Sequence, residues 1–359
     1  MRGAPSQEEI RRQNLGALLR YVHARGQISR AELTTELGLN RSTIGALTQD
    51  LTEAGLVTEE APKETGRAGR PSLVVRAKSE SIYAYAVSVE PDRVRVARVG
   101  LGGMLLDQRV LASPESLPEV LRAMPGTGRC VGAGVAVASR RDASVVKQRL
   151  AEDFEQVDVG TVAELCALAE HTRGVAAGCD NVIYLYGDVG VGAGIIAGGR
   201  AVTGHGGYGG EVGHMVVNPS GRKCTCGSKG CWETEIGERA LLDQAQSKDS
   251  GNDAVLAVID RASRGDAVAK QAVHDVGDWL GFGVANLVNI FNPELVIFGG
   301  TLRDIYIAAA AQVRSKLNSI GLPATREHVR LRTPALGKEA ALLGAAELAF
   351  QQLLNDPLA

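Results

Sequence analysis

Four residues carry the strongest chemical signal in the sequence. Cys224, Cys226 and Cys231 form a C-x-C-x4-C run, and His214 lies ten residues before it. Three thiolates and one imidazole complete the tetrahedral shell of a structural zinc ion and leave no coordination position open for catalysis. Gly227 and Gly230 permit the tight turn that brings Cys226 and Cys231 to one ion. The competing readings are a disulfide or free surface thiols. The opening residues, MRGAPSQEEIRR, hold no apolar signal segment. The sequence therefore predicts a cytoplasmic chain, where disulfides are rare and one zinc per chain is favoured. Cys130, Cys166 and Cys179 sit in apolar strand or helix contexts and are read as core residues.

A second set of residues has the chemistry of nucleic-acid contact. Asn40, Arg41, Ser42 and Thr43 are short polar or cationic donors in one run, Arg30 stands ten residues earlier, and Arg67 and Arg70 follow glycines in the stretch GRAGRP. The elements that position them can be read from periodicity. Leu15, Leu18, Leu19 and Val22 fall at helical spacing, closed by Gly26. Ser29 with Glu32 forms a capping box for a second helix, Gly38 makes a turn, and Asn40 caps a third helix, residues 41–53. Two strand-like pieces, 56–60 and 72–76, flank the Gly/Pro/Arg stretch. Three helices and a hairpin make a winged helix-turn-helix. The start of its third helix suits a major groove, and an Arg in a Gly-rich wing suits a narrow minor groove. A winged helix used only for protein contacts is the alternative.

The wider composition fits this division. The chain has 359 residues, 45% hydrophobic and 22% charged, with a net charge of −2. This is an ordinary globular composition with room for two or three domains. Residues 1–78 carry a balance of +3 and the remainder −5. No apolar run approaches the ~18 residues of a membrane span. After residue 81 the pattern becomes α/β. Strands are predicted at 83–89, 94–99, 130–138, 182–186 and 295–298, and helices at 161–173, 253–264 and 267–291, with a linker near 77–81.

The body resembles the ROK family, whose name joins repressors and sugar kinases. The resemblance rests on GGYGGEVGHM (206–215), CTCGSKGCWE (224–233), NPELVIFGG (292–300) and the Gly-rich GDVGVGAGII (187–196). The head looks like that of the family's regulators. The resemblance implies an α/β chain: a winged helix-turn-helix over 1–80, then a two-lobed actin-like, ribonuclease-H-like ATPase fold. Lobe one would span 81–186 with helix 338–354 returning to it, and lobe two 187–337.

The resemblance also exposes missing chemistry. In the family's kinases the general base is the Asp of an Asn-Asp-x-Asn segment heading a helix that ends Ala-Leu-Ala-Glu. Aligned on Ala167–Glu170, this chain has Thr161 at the Asn, Val162 at the Asp and Glu164 at the later Asn. Valine cannot accept a proton, and Asp158, four residues away, is a poor substitute. The first phosphate loop, Asp-x-Gly-x-Thr in the kinases, is replaced by Glu90, Pro91 and Asp92. Pro91 lacks an N–H and Glu90 repels phosphate. Gly190, Gly192, Gly194, Gly299 and Gly300 remain and are read as turns inherited with the fold.

These observations favour a DNA-binding regulator, acting as a repressor, with no catalytic residues. A bifunctional sugar kinase and a non-DNA scaffold are the alternatives. Family likeness implies operator DNA as partner, a homodimer or dimer of dimers, and a sugar-like effector. Of the residues that hold sugar hydroxyls in relatives, Glu211, His214 and Glu233 are present here. The other pair is lost, and the loop between Gly134 and Thr161 lacks the expected Pro-Gly turn. Common free sugars such as glucose are expected to bind poorly, and any effector to be a modified or different molecule.

Overall fold

The computed structural model describes residues 6–61, 72–90, 93–140, 143–188 and 190–359. The chain forms two compact units: 1–165 together with 339–359, and 166–338. Among the described residues, no helix is long and apolar enough to cross a membrane.

The first unit begins with the head: α1 (Gln7–Arg25), β1 (Gln27–Ser29), α2 (Arg30–Leu37), α3 (Arg41–Glu53), β2 (Val57–Glu60) and β3 (Val74–Ala77). The sequence marks each helix start chemically. Ser29 and Glu32 form the expected capping box, and Asn40 accepts from the Thr43 backbone N–H at 2.8 Å. The first helix begins earlier than its apolar spacing suggests, because Ser6 and Glu9 form another capping box ahead of the buried stripe. Gly38, at φ 64°, makes the left-handed turn between α2 and α3. Leu18, Leu19, Val22, Leu33, Ile44 and Leu51 close a core under the three helices. The sheet order is β1-β3-β2. The strand β1 was not anticipated; three residues are too few for a periodic signal. The 78–81 connection is tied down on both sides, with the Lys78 N–H on Leu56 O at 3.0 Å and Ser79 Oγ on Leu101 O at 2.5 Å.

The same unit holds a five-stranded sheet and its helices: β4 (Ile82–Val89), β5 (Val94–Gly100), β6 (Met104–Leu111), α4 (Leu117–Arg122), β7 (Arg129–Val137), α5 (Ala143–Leu150) and β8 (Val157–Thr161), leading into α6 (Val162–Arg173). The order is β6-β5-β4-β7-β8, antiparallel from β4 to β6 and parallel among β4, β7 and β8. Val89, Val137 and Thr161, the last residues of the three parallel strands, lie in one row. Ligands of open α/β sheets gather beyond this end.

The second unit is built on a sheet of order β11-β10-β9-β12-β13. Its elements are β9 (Val182–Gly187), β10 (Val191–Ala197), β11 (Arg200–Ala201), α7 (Glu233–Ile236), α8 (Glu238–Gln244), α9 (Asn252–Ser263), α10 (Ala267–Phe291), β12 (Leu295–Gly300), α11 (Thr301–Ala308), α12 (Ala310–Ile320), α13 (Pro323–Arg326) and β13 (Arg330–Arg332). The 25-residue α10 is capped by Asp266 and runs through the middle of this core.

The last helix, α14 (Ala340–Asn355), belongs to the first unit and packs on β7, β4 and β8. The contact is backbone to backbone: a Cβ on Gly134 would stand 1.8 Å from Ala345 O. On its other side α14 receives α1. Arg20 Nη1 donates to Leu354 O at 2.9 Å, and His23 Nε2 lies 2.9 Å from Glu347 Oε2, with both side chains buried. The Gly102 N–H donates to His23 Nδ1 at 2.9 Å, which leaves the ring proton on Nε2, pointed at the carboxylate. His23→Leu removes a partner of a buried carboxylate and is expected to cost about 3–5 kcal/mol. Glu347→Leu leaves a ring N–H short of an acceptor rather than a carboxylate short of a donor, and is expected to cost about 1–3 kcal/mol. Urea denaturation followed by circular dichroism checks the ordering of the two variants.

Candidate DNA-binding face and metal centre

At the start of α3, Arg41 and Ser42 are exposed and Thr43 is half-buried. Asn40 is used as the helix cap, and Ser42 Oγ donates to its Oδ1 at 2.7 Å. The helix thus begins with a fixed first turn that presents Arg41 to solvent. Arg30 is placed differently: its Nε and Nη2 each meet a Glu59 carboxylate oxygen at 2.5 Å, clamping α2 to β2. Arg67 and Arg70 lie outside the described residues.

The metal-type cluster is brought together from three pieces of the second unit. His214 ends the short turn Val212–His214. Cys224 and Cys226 sit in a loop closed by the Cys224 N–H on Ser228 O at 2.9 Å. Cys231 bridges Val216 in the backbone and leads into α7. Gly230, at φ 73°, is required here, because a Cβ would stand 1.6 Å from Asn218 O. The ligand atoms of His214, Cys224, Cys226 and Cys231 all lie within 4.8 Å of one another. Cys226 Sγ and Cys231 Sγ are 3.6 Å apart, and Cys224 Sγ is 3.7 Å from His214 Nδ1. Two thiolates ~2.3 Å from a tetrahedral ion stand a little under ~4 Å apart, whereas a disulfide needs ~2.05 Å. The donor set and its spacing therefore fit a metal. Burial pushes the Cys224 thiol up to about 12 and raises Cys231, while the Ser228 backbone N–H lowers Cys226. A cation held here would supply the charge that the buried thiolates of Cys224 and Cys231 require.

Glu233 reaches this cluster from behind. Its Oε1 lies 2.9 Å from Cys224 Sγ and 3.6 Å from His214 Nδ1, and its Oε2 accepts from the Val191 N–H at 3.4 Å. Glu211 lies 3.9 Å from His214 Nε2. By its place in the sequence Glu233 belongs with the residues that hold sugar hydroxyls in relatives. Its contact with the Gly-rich Gly190–Val191 turn had no signal in the spacing.

The kinase-type positions fall in the first unit. Val162 is buried at the head of α6. Thr161 and Glu164 form a capping box there, with the Thr161 N–H on Glu164 Oε2 at 2.8 Å. Arg140 Nη2 meets both Glu164 oxygens, at 2.7 and 2.6 Å. Glu90 accepts from Arg95 Nε at 2.7 Å and pairs with Arg93 at 3.3 Å. Pro91 and Asp92 lie outside the described residues. Asp158 is inside β8, paired in register with Gly134 and bonded by Gln156 Nε2 at 2.6 Å. The pairings of Arg140 and Arg95 were not anticipated.

Comparison with known proteins agrees with the architecture. Residues 139–352 match the ROK family profile, and residues 16–68 match the MarR family. The chain belongs to the ROK family, and with a winged head before that body it is a DNA-binding transcriptional regulator of the ROK type. It is 28% identical over 374 residues to the xylose repressor of Bacillus spizizenii, spanning 96% of this chain and 97% of that protein. A crystal structure of a ROK family transcriptional regulator, a homologue of the E. coli Mlc protein, shares the fold with a TM-score of 0.77 at 23% identity, covering 98% of both chains. The ROK hexokinase of Thermus thermophilus matches with a TM-score of 0.64 at 27% identity, over 76% of this chain and 99% of its own.

Protein purified without chelator is expected to carry one divalent ion per chain by elemental analysis. Cys226→Ser is expected to lose that ion and lower the melting temperature by several degrees, about the effect of 1–3 kcal/mol. Metal-free wild type with an unchanged melting temperature would contradict the assignment.

Proposed function

We propose that this chain is a repressor whose winged head reads operator DNA and whose body, without kinase chemistry, holds two heads in register and senses a small molecule. The observation that carries the reading is the pairing, in one chain, of a capped recognition helix presenting Arg41 with a body that has Val162 where a base would stand.

A helix ~10–12 Å across fits a major groove ~12 Å wide. With Asn40 held as the cap, Arg41, Ser42 and Thr43 are the side chains assigned to base edges and adjacent phosphates. Arg30 acts through Glu59, holding α2 against β2 beside the recognition helix. Arg67 and Arg70 are assigned to the wing's minor-groove or phosphate contacts. A homodimer, or a dimer of dimers, presents two such heads to a two-fold operator in the cytoplasm.

Zinc is the ion assigned to His214, Cys224, Cys226 and Cys231, because three soft thiolates with one imidazole suit it and leave no open position. Its role is structural. Glu233 braces the site and links it to the Gly190–Val191 turn. His214 and Glu233 are occupied there, so a glucose-type site built on Glu211, His214 and Glu233 is weakened.

Phosphoryl transfer needs a base and a phosphate cradle. Val162 is no base, Asp158 is within a strand, and Glu90 holds a carboxylate at the end of β4. ATP with any hexose is expected to give no turnover at ordinary enzyme rates. Arg41→Ala is expected to weaken binding to the chain's own upstream DNA about tenfold at fixed salt, within the ~1–3 kcal/mol of a base-contacting Arg. A gel-shift titration checks this, and an unchanged affinity removes Arg41 from the interface.

A further inference from the structure

We propose that the notch between the three-stranded sheet of the head and the β5–β6 turn is a binding site for a small polyanion, held by Lys78, Arg76 and Arg25. Its ligand carries two or more oxyanion groups, phosphate or carboxylate. The site does not depend on the regulator reading.

The register of the head's sheet puts its polar row in place. Gln27 on β1, Arg76 on β3 and Thr58 on β2 stand directly opposite one another, so their side chains share a face. Ile28, Val75 and Glu59 form the next row, on the other face, where Arg30 of α2 holds Glu59. The Arg76 row is therefore turned away from α2. Together with the 78–81 connection, and with Gly102 and Met104 at the β5–β6 turn, it lines a notch of about 560 Å³. That is the size of a small-molecule site.

The charge of the lining is uneven. Arg25, Arg76 and Lys78 meet one carboxylate there, that of Glu80. Glu36 takes Arg25 Nη2 at 2.7 Å, and the Arg25 guanidinium also lies over the Tyr21 ring. Glu60 stands 3.9 Å from Arg76 Nε, too far for a hydrogen bond. Both ion pairs are exposed, hence weak, and they leave most of the guanidinium donors unused. Lys78 is half-buried, and its ammonium has no ion pair or hydrogen bond among the described residues. Its backbone is fixed. The N–H donates to Leu56 O at 3.0 Å, and the carbonyl accepts from the Ser81 and Ile82 N–H groups at 3.1 and 3.0 Å. An ammonium on a fixed turn and two guanidinium groups with spare donors suit oxyanions, which only accept. The Thr58 hydroxyl and the Gln27 amide add neutral donors. A ligand with several oxyanion groups can engage more of these cations than a single phosphate can.

Calorimetry on the full-length protein at fixed salt uses inorganic pyrophosphate, tricarballylate and inorganic phosphate as probes. One site per chain is expected, with pyrophosphate or tricarballylate binding tenfold or more tighter than inorganic phosphate. Tighter pyrophosphate identifies a phosphorylated ligand, and tighter tricarballylate a polycarboxylate. Lys78→Gln is expected to weaken the tighter probe fivefold or more. Glu80→Gln removes the one carboxylate of the lining and is expected to tighten that probe severalfold, a gain that a misfolded variant cannot give. The proposal is overturned by no saturable binding of either polyanion, by inorganic phosphate matching them, by Lys78→Gln binding as the wild type does, or by a Glu80→Gln affinity that does not rise.

Discussion

The contact between His23 and Glu347 is the constraint on which the first unit depends. It joins residues 324 positions apart, at 2.9 Å, in a place water does not reach. The Gly102 N–H donates to Nδ1, so Nε2 faces the carboxylate. A buried carboxylate without such a partner is expensive, and a buried imidazole N–H without an acceptor costs less but still costs. The arrangement therefore selects one docking of α1 on α14. This suits a DNA-binding head, because a head free to swing would pay an entropic cost when it engages its site.

α14 gives that docking a second consequence. Its other face lies against β7, close enough that Gly134 cannot carry a side chain. The helix that seats the head thus rests on the strand whose carboxyl end leads to Arg140. The head and the end of the sheet share one packed element rather than a loose tether. In the second unit the His214–Cys231 cluster plays a corresponding part. It gathers residues from three pieces of chain, and Glu233 connects it to the β9–β10 turn.

Local chemistry was the part of the structure legible in the sequence. The caps at Ser29 and Asn40, the Gly38 turn, the limits of α10 and the metal quartet all follow from residue type at fixed short spacing. What escaped was either weakly patterned or distant. The edge strand β6 is half exposed along its length, so it shows no apolar run. Ser6 lies ahead of the apolar stripe that defines α1. Arg140–Glu164 and His23–Glu347 are partnerships created by strand order and helix packing, and no spacing rule relates their members. Glu233 was visible as a chemically capable residue, but its orientation toward Cys224 depends on the turn of the knuckle.

The function proposed for this ROK chain is the reading of DNA by paired heads. Footprinting of the purified full-length protein on its own upstream region tests it most directly. Two protected segments related by a two-fold axis are expected, their centres a whole number of ~10.5-base-pair turns apart. Protection no stronger than on unrelated DNA at the same salt concentration would contradict it.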